Sequence, residues 1–210
     1  MRFRSSVLFA LLAGLSIAGP AQAATITLSL DTTPLITGTT APYFINLQLV
    51  DGDGLVNNTV AVSNFDFGGG GAVGLPVLTG DVIGDLGSTV VLGDTAFFND
   101  FFQQFTPGAF LSFDVEFSTN FVAPTPDRFT FAILNSGLVE VPTTGAGNEL
   151  FGIDLRTPVT LERYPGLDVG SGDPILDAPV VVSAVPEPAG LVLLAAGAWA
   201  VGRRGMRRSR

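Results

Sequence analysis

Between residues 24 and 185, run after run of apolar and polar residues alternates one by one, and clusters of glycine, proline or aspartate separate the runs. Ile26, Leu28 and Leu30 alternate with Thr25, Thr27 and Ser29. Tyr43, Ile45, Leu47 and Leu49 alternate with Phe44, Asn46 and Gln48. The same rule holds for Leu111, Phe113, Val115 and Phe117, for Phe129, Phe131 and Ile133, and for Phe151, Ile153 and Leu155. Side chains on a strand point to opposite faces in turn, so one apolar face per run means half-buried antiparallel strands. The breaks are Asp51-Gly52-Asp53-Gly54, residues 68–71, Thr106-Pro107-Gly108, Pro124-Thr125-Pro126-Asp127 and residues 170–174. Many short strands between such turns predict an all-β fold, an antiparallel β-sandwich of jelly-roll-like form. Residues 180–185 read as a last strand.

Two segments depart from simple alternation. Val60 and Val62 share one parity, whereas Phe65 and Phe67 share the other. A bulge near Ser63-Asn64 would bring both pairs to the core face. Over residues 95–105, Phe97, Phe98, Phe101, Phe102 and Phe105 recur at helical spacing behind Asp94, a plausible N-cap. That spacing predicts one short helix, the alternative being a strand buried on both faces. Either way the five phenylalanines read as core.

The two ends of the chain are of another kind. Arg2 and Arg4 precede an apolar stretch over 7–18, and Ala21-Gln22-Ala23 fits the small-x-small cleavage pattern. Residues 1–23 therefore read as a secretory signal peptide cut between Ala23 and Ala24, which implies the Sec export machinery. At the other end, Pro186, Glu187 and Pro188 hold an extended segment, because flanking prolines neither continue a helix nor enter a central strand. An apolar run over 189–202 follows, containing Leu191, Val192, Leu193, Leu194, Trp199 and Val201. As a helix it would span about 21 Å, short of the roughly 30 Å hydrocarbon core. Such a run suits a transient hold in the inner membrane. Arg203, Arg204, Arg207, Arg208 and Arg210 close the chain and should stay cytoplasmic.

In that order, Pro-Glu-Pro motif, apolar stretch and arginine-rich end strongly resemble the PEP-CTERM sorting signal. The resemblance implies recognition and processing by a membrane exosortase, with membrane anchoring first and a cell-surface or extracellular destination afterwards. Carriers of the signal are linked with extracellular polysaccharide and biofilm, which makes such polysaccharide a candidate partner. The body is also similar to a group of PEP-CTERM proteins without an established activity. The stretches that carry this run from Ser63 to Gly70, from Phe105 through Thr106-Pro107-Gly108 to Asp114, and from Pro124 to Leu134. That likeness implies a shared fold and transfers no catalytic residue. The expected organisation is a signal peptide (1–23), a β-sandwich domain (24–185) and a sorting signal with a hydrophobic helix (186–210).

Charge and composition narrow the function. The chain carries −9 overall, but seven of its ten basic residues lie in the two ends. Arg128, Arg156 and Arg163 alone face 18 acidic residues in the body, which leaves it at −15. Nucleic acid would be repelled, while cations would be attracted. The chain has no Cys and no His, and its basic residues are all Arg. Disulfides, thiolate metal sites, the Ser-His-Asp triad, Schiff-base lysines and a P-loop are thereby excluded.

Three chemistries stay open. Asp51 and Asp53 with Asn57 place oxygen ligands on a turn, as calcium requires, with Asp81, Asp85, Asp94, Asp168 and Asp173 as further donors. The same residues also serve a plain Asp-Gly hairpin turn. Carbohydrate binding would use exposed aromatics, for which Phe44 is the best candidate. Glycoside hydrolysis needs two carboxylates, and Asp114 and Glu116 share one strand, but no carboxylate is marked by apolar surroundings. Asn57-Asn58-Thr59 matches the glycosylation triplet. The expectation is a non-enzymatic exported protein with a structural or adhesive role. The alternative is a secreted carbohydrate- or calcium-binding β-sandwich module.

Overall fold

The computed structural model describes residues 24–119, 125–156 and 158–184. The strands are β1 (Ala24–Asp31), β2 (Tyr43–Val50), β3 (Thr59–Asp66), β4 (Gly71–Thr79), β5 (Val82–Ile83), β6 (Val90–Gly93), β7 (Phe98–Thr106), β8 (Phe110–Phe117), β9 (Arg128–Leu134), β10 (Phe151–Asp154), β11 (Thr160–Arg163) and β12 (Val180–Ala184). One helical turn, α1 (Thr33–Ile36), joins β1 to β2. Sheet one has the order β12-β1-β8-β3-β6-β5 and sheet two the order β11-β10-β9-β2-β7-β4. All pairings are antiparallel.

Among the first eight strands, β1 pairs with β8, β2 with β7 and β3 with β6, as in a wrapped antiparallel ribbon of jelly-roll type. The pattern breaks at the closed end of the ribbon, where β4 pairs with β7 in sheet two and β5 with β6 in sheet one. β9, β10 and β11 then widen sheet two beyond β2, and β12 widens sheet one beyond β1.

Alternation decides what lies between the sheets. Ile26, Leu28 and Leu30 of β1, Leu111, Phe113, Val115 and Phe117 of β8, and Phe129, Phe131 and Ile133 of β9 are all buried, as are Tyr43, Ile45, Leu47 and Leu49. Phe113 from sheet one meets Phe131 from sheet two edge to face, with ring centroids 5.1 Å apart, a geometry that aligns ring edge with ring face. In β3 the pairing with β8 shifts between Ser63 and Asp66, and Asn64 adopts a left-handed φ of 56°. This is the expected bulge. It turns Phe65 and Phe67 onto the core, where they pack half-buried against Phe113 and Phe105.

The helix expected over 95–105 is not formed; β7 is a strand. Phe101 and Phe105 point inward together with Asn99 and Gln103, while Phe98 and Phe102 point outward. The buried amides tolerate this position because each is hydrogen-bonded. Asn99 Nδ2 donates to the carbonyls of Leu49 and Ala96, and its Oδ1 accepts from Asp81 N at 2.7 Å. Gln103 Nε2 donates to Gly74 O, and its Oε1 accepts from Leu86 N at 2.8 Å. These bonds outweigh the local helical spacing. Phe97 is left outside the strand, 72% exposed.

Candidate functional site

The β2–β3 loop begins where Val50 sits opposite both Phe98 and Arg128. The residue after Val50 and the residue before Arg128 are therefore neighbours. Asp51, Asp53 and Asp127 converge there, each offering one carboxylate oxygen, with all three atoms within 4.8 Å of one another. Asp127 is buried. Its Oδ1 accepts from Gly52 N at 2.8 Å and Asp53 N at 3.3 Å, and its Oδ2 accepts from Asn58 Nδ2 at 2.7 Å. Burial nevertheless pushes the Asp127 carboxyl above its ordinary value, against the pull of these hydrogen bonds. Gly52 is required at its position, because a Cβ there would collide with the Pro126 carbonyl.

The remaining bonds of the loop hold its shape. Asp51 Oδ1 accepts from Asp53 N and Gly54 N, and Asp53 Oδ1 accepts from Leu55 N. Asn57 Nδ2 donates to Asp53 Oδ2 at 3.4 Å. Asp94, also buried, accepts from the backbone N–H groups of Asn57 and Asn58 at 2.8 and 2.6 Å. Oxygens bound to one calcium at about 2.4 Å lie at most about 4.8 Å apart. The triad therefore fits a divalent cation, and three carboxylates supply a minority of the six to eight oxygens calcium takes.

Asp127 is the member of the triad that sequence reasoning missed. The proline-flanked turn around it was legible, but not its meeting with Asp51. Asn57 lies beside the triad through Asp53. The other proposed donors are dispersed. Asp85 accepts from Gly87 N and Ser88 Oγ, Asp168 from Gly170 N and Asp173 from Asn135 Nδ2, each within its own turn or loop contact. Asp81 is tied to β7 through its backbone.

A second polar constellation lies on the outer face of sheet two. Arg128 Nη1 reaches Asp154 at 2.9 Å, and its Nη2 reaches Glu162 at 2.7 Å and Glu149 at 3.2 Å. Burial opposes the charge on Arg128, but the hydrogen bonds to Glu162 and Asp154 outweigh it and raise the pKa. The guanidinium crosses β10 over Gly152, where any Cβ would strike it. Beside this network runs a cleft of about 270 Å³, lined by Asn46, Gln48, Arg128, Thr130, Glu140 and Glu149 among others. Its floor is an amide chain in which Gln48 Nε2 donates to Asn46 Oδ1, and Asn46 Nδ2 donates to Asp100 and to Phe101 O. On the same face Phe44 is half-buried and meets Phe102 edge to face at 6.1 Å. On sheet one, Asp114 accepts from Thr27 Oγ1 at 2.6 Å and Asn64 Nδ2 at 2.8 Å, bonds that hold its carboxyl below the usual range.

Of the signal-cleavage residues, Ala24 is the first of β1. Ala21, Ala23 and the whole segment from Pro186 to Arg210 lie outside the described residues. Among the described residues no helix is long and apolar enough to cross a membrane.

The fold and these sites define an antiparallel β-sandwich with an acidic loop end and a polar cleft on one sheet. No family model, curated protein or solved structure matches the chain.

Proposed function

We propose that this chain is an exported bacterial surface or matrix protein, sorted and processed through Pro186-Glu187-Pro188 by an exosortase-type membrane enzyme. Its domain acts without catalysis, in a structural or adhesive role linked to extracellular polysaccharide. The observation that carries this reading is that the sandwich occupies the chain between the two targeting segments. Ala24, the residue after the expected cleavage site, is already in β1, and Ala184, two residues before Pro186, is still in β12. A non-catalytic role is supported by the state of the carboxylates. The one that burial raises, Asp127, is enclosed and bonded to backbone, and Asp114 is engaged by Thr27 and Asn64. Deleting residues 186–188 and fractionating the cells tests the proposal. The deletion should leave unprocessed protein in the membrane fraction; unchanged processing and surface delivery would refute it.

The second reading is a binding module with the same delivery. For calcium, the favouring observation is the convergence of Asp51, Asp53 and Asp127. For carbohydrate, it is the cleft beside Phe44 and Phe102, where amides, a guanidinium and carboxylates stand ready to bond hydroxyl groups. A glycan array without a single binder removes the carbohydrate form of this reading.

A further inference from the structure

We propose that the loop end carrying Leu55, Val56 and Phe97 docks on a lipid bilayer surface. The inference rests on the targeting reading above and adds to it which end of the domain meets the membrane, and through which residues.

The strand register places this end. In sheet one Ala24 stands opposite Phe117, Phe117 opposite Val60, and Ala184 opposite Thr25. The start of β1 and the finish of β12 thus lie level with the start of β3 and the finish of β8. The loops at that level are stapled together. Asn57 and Asn58 donate to Asp94, Thr59 N donates to Ser118 Oγ, and Asp51 N donates to Phe97 O at 3.0 Å. Both membrane-directed segments of the chain therefore leave from the end that bears the β2–β3 and β6–β7 loops.

The tether is short. Only residues 185–188 separate β12 from the apolar run, and four extended residues reach about 14 Å at most. The eight residues of β1 measure about 26 Å at 3.3 Å each. A tether shorter than the strands cannot turn the domain over, so the same end faces the bilayer for as long as the tail is uncut.

That end is not dressed for water alone. Phe97 is 72% exposed, Val56 70% and Leu55 49%. Exposed apolar residues also occur on the edge strands, as Leu75 and Ile83, and in loops at the opposite end, as Leu138 and Val139; what sets the end with Leu55 and Phe97 apart is that both chain ends leave from it. Apolar tips held at a membrane gain by entering the headgroup region. Among the acidic groups here, Asp94 and Asp127 are buried, Asp51, Asp53 and Asp81 are partly open, and Glu116 is exposed near the finish of β8. This charge disfavours an anionic surface, so the matching partner is a zwitterionic lipid face.

The absence of cysteine permits a direct test on the full chain. Thr95→Cys, beside Phe97, and Ser136→Cys, at the opposite end after β9, each carry a fluorophore on an exposed site. Each protein is reconstituted into phosphatidylethanolamine–phosphatidylcholine vesicles containing lipid with a nitroxide on its acyl chain. The label at 95 should be quenched at least threefold more than the label at 136. Adding Leu55→Ser, Val56→Ser and Phe97→Ser should remove most of that contrast while the chain still floats with the vesicles. Equal quenching at the two positions, or contrast that survives loss of the tips, overturns docking and leaves the targeting reading standing. A full chain that does not float with vesicles overturns the targeting reading, and docking falls with it.

Discussion

Arg128→Ala should be among the most damaging changes on the surface of sheet two, and the reason is countable. The guanidinium is bonded to three carboxylates, on Glu149, Asp154 and Glu162, and its own side chain is 30% exposed. Glu149 is the least hydrated of the three at 9%. Removing one partner of a fully buried pair costs about 3–5 kcal/mol, whereas an exposed pair is worth about 0–1 kcal/mol. A half-covered hub with one nearly buried carboxylate falls between, at about 2–3 kcal/mol. For a domain of this size that is roughly 5–10 °C in melting temperature. The hydrogen bond from Arg128, with one from Tyr164, holds the Glu162 carboxyl below its usual range. Stabilisation from a lowered carboxyl is complete above the unfolded pKa and fades as pH falls through the folded one. The variant lacks that stabilisation and keeps three crowded carboxylates, so acidification should narrow its deficit. Thermal melts of wild type, Arg128→Ala and Arg128→Lys at about pH 7 and about pH 3 provide the assay. Lysine should recover part of the loss, since it keeps the charge and loses the fork. A deficit below about 1 kcal/mol at neutral pH, or an equal deficit at both pH values, refutes the reasoning.

Calcium at millimolar concentration should raise the melting temperature of the wild-type chain by several degrees and leave Asp51→Asn nearly unmoved, as followed by calorimetry. Because burial raises the Asp127 carboxyl, protons should begin to compete with the cation at a pH above the ordinary aspartate range. If calcium produces neither heat nor a thermal shift, the metal form of the binding reading is wrong. At the bulge, Asn64→Val forces a β-branched residue into φ 56° and removes the bond to Asp114, which should cost about 1–3 kcal/mol. Asn64→Gly keeps the backbone and should cost at most about 1 kcal/mol by urea denaturation. Equal stability of the two variants would show that the left-handed position carries no strain.

What could be read of the fold was whatever depends on one strand at a time. Period two alone separates the buried Leu111, Phe113, Val115 and Phe117 from their polar neighbours. A break in parity was enough to place the bulge before Phe65. β7 resisted because its inward face carries Asn99 and Gln103, which read as solvent-facing until their partners are known. Those partners, Asp81 N, Leu86 N and Gly74 O, belong to turns and an edge strand 17 to 29 residues earlier. A pattern read over a window of ten residues has no access to them, and the phenylalanine spacing then favours a helix.

The candidate sites resisted for a related reason: each is made by register, a quantity that belongs to two strands jointly. Asp51-Gly52-Asp53-Gly54 is an ordinary turn, and so is Pro124-Thr125-Pro126-Asp127. Pairing Val50 with Arg128 turns them into one acidic cluster, because the next residue of β2's chain and the preceding residue of β9's must then meet. The same pairing sends Arg128 outward, across Gly152 to Glu162. A slip of one residue would reverse every side chain of β9, burying Arg128 and Thr130 in place of Phe129 and Phe131. Core packing therefore selects the register, and the register makes the sites. Likewise Thr25 opposite Ala184 brings the two ends of the domain to one level, so the face it turns toward a membrane follows from how its first and last strands pair.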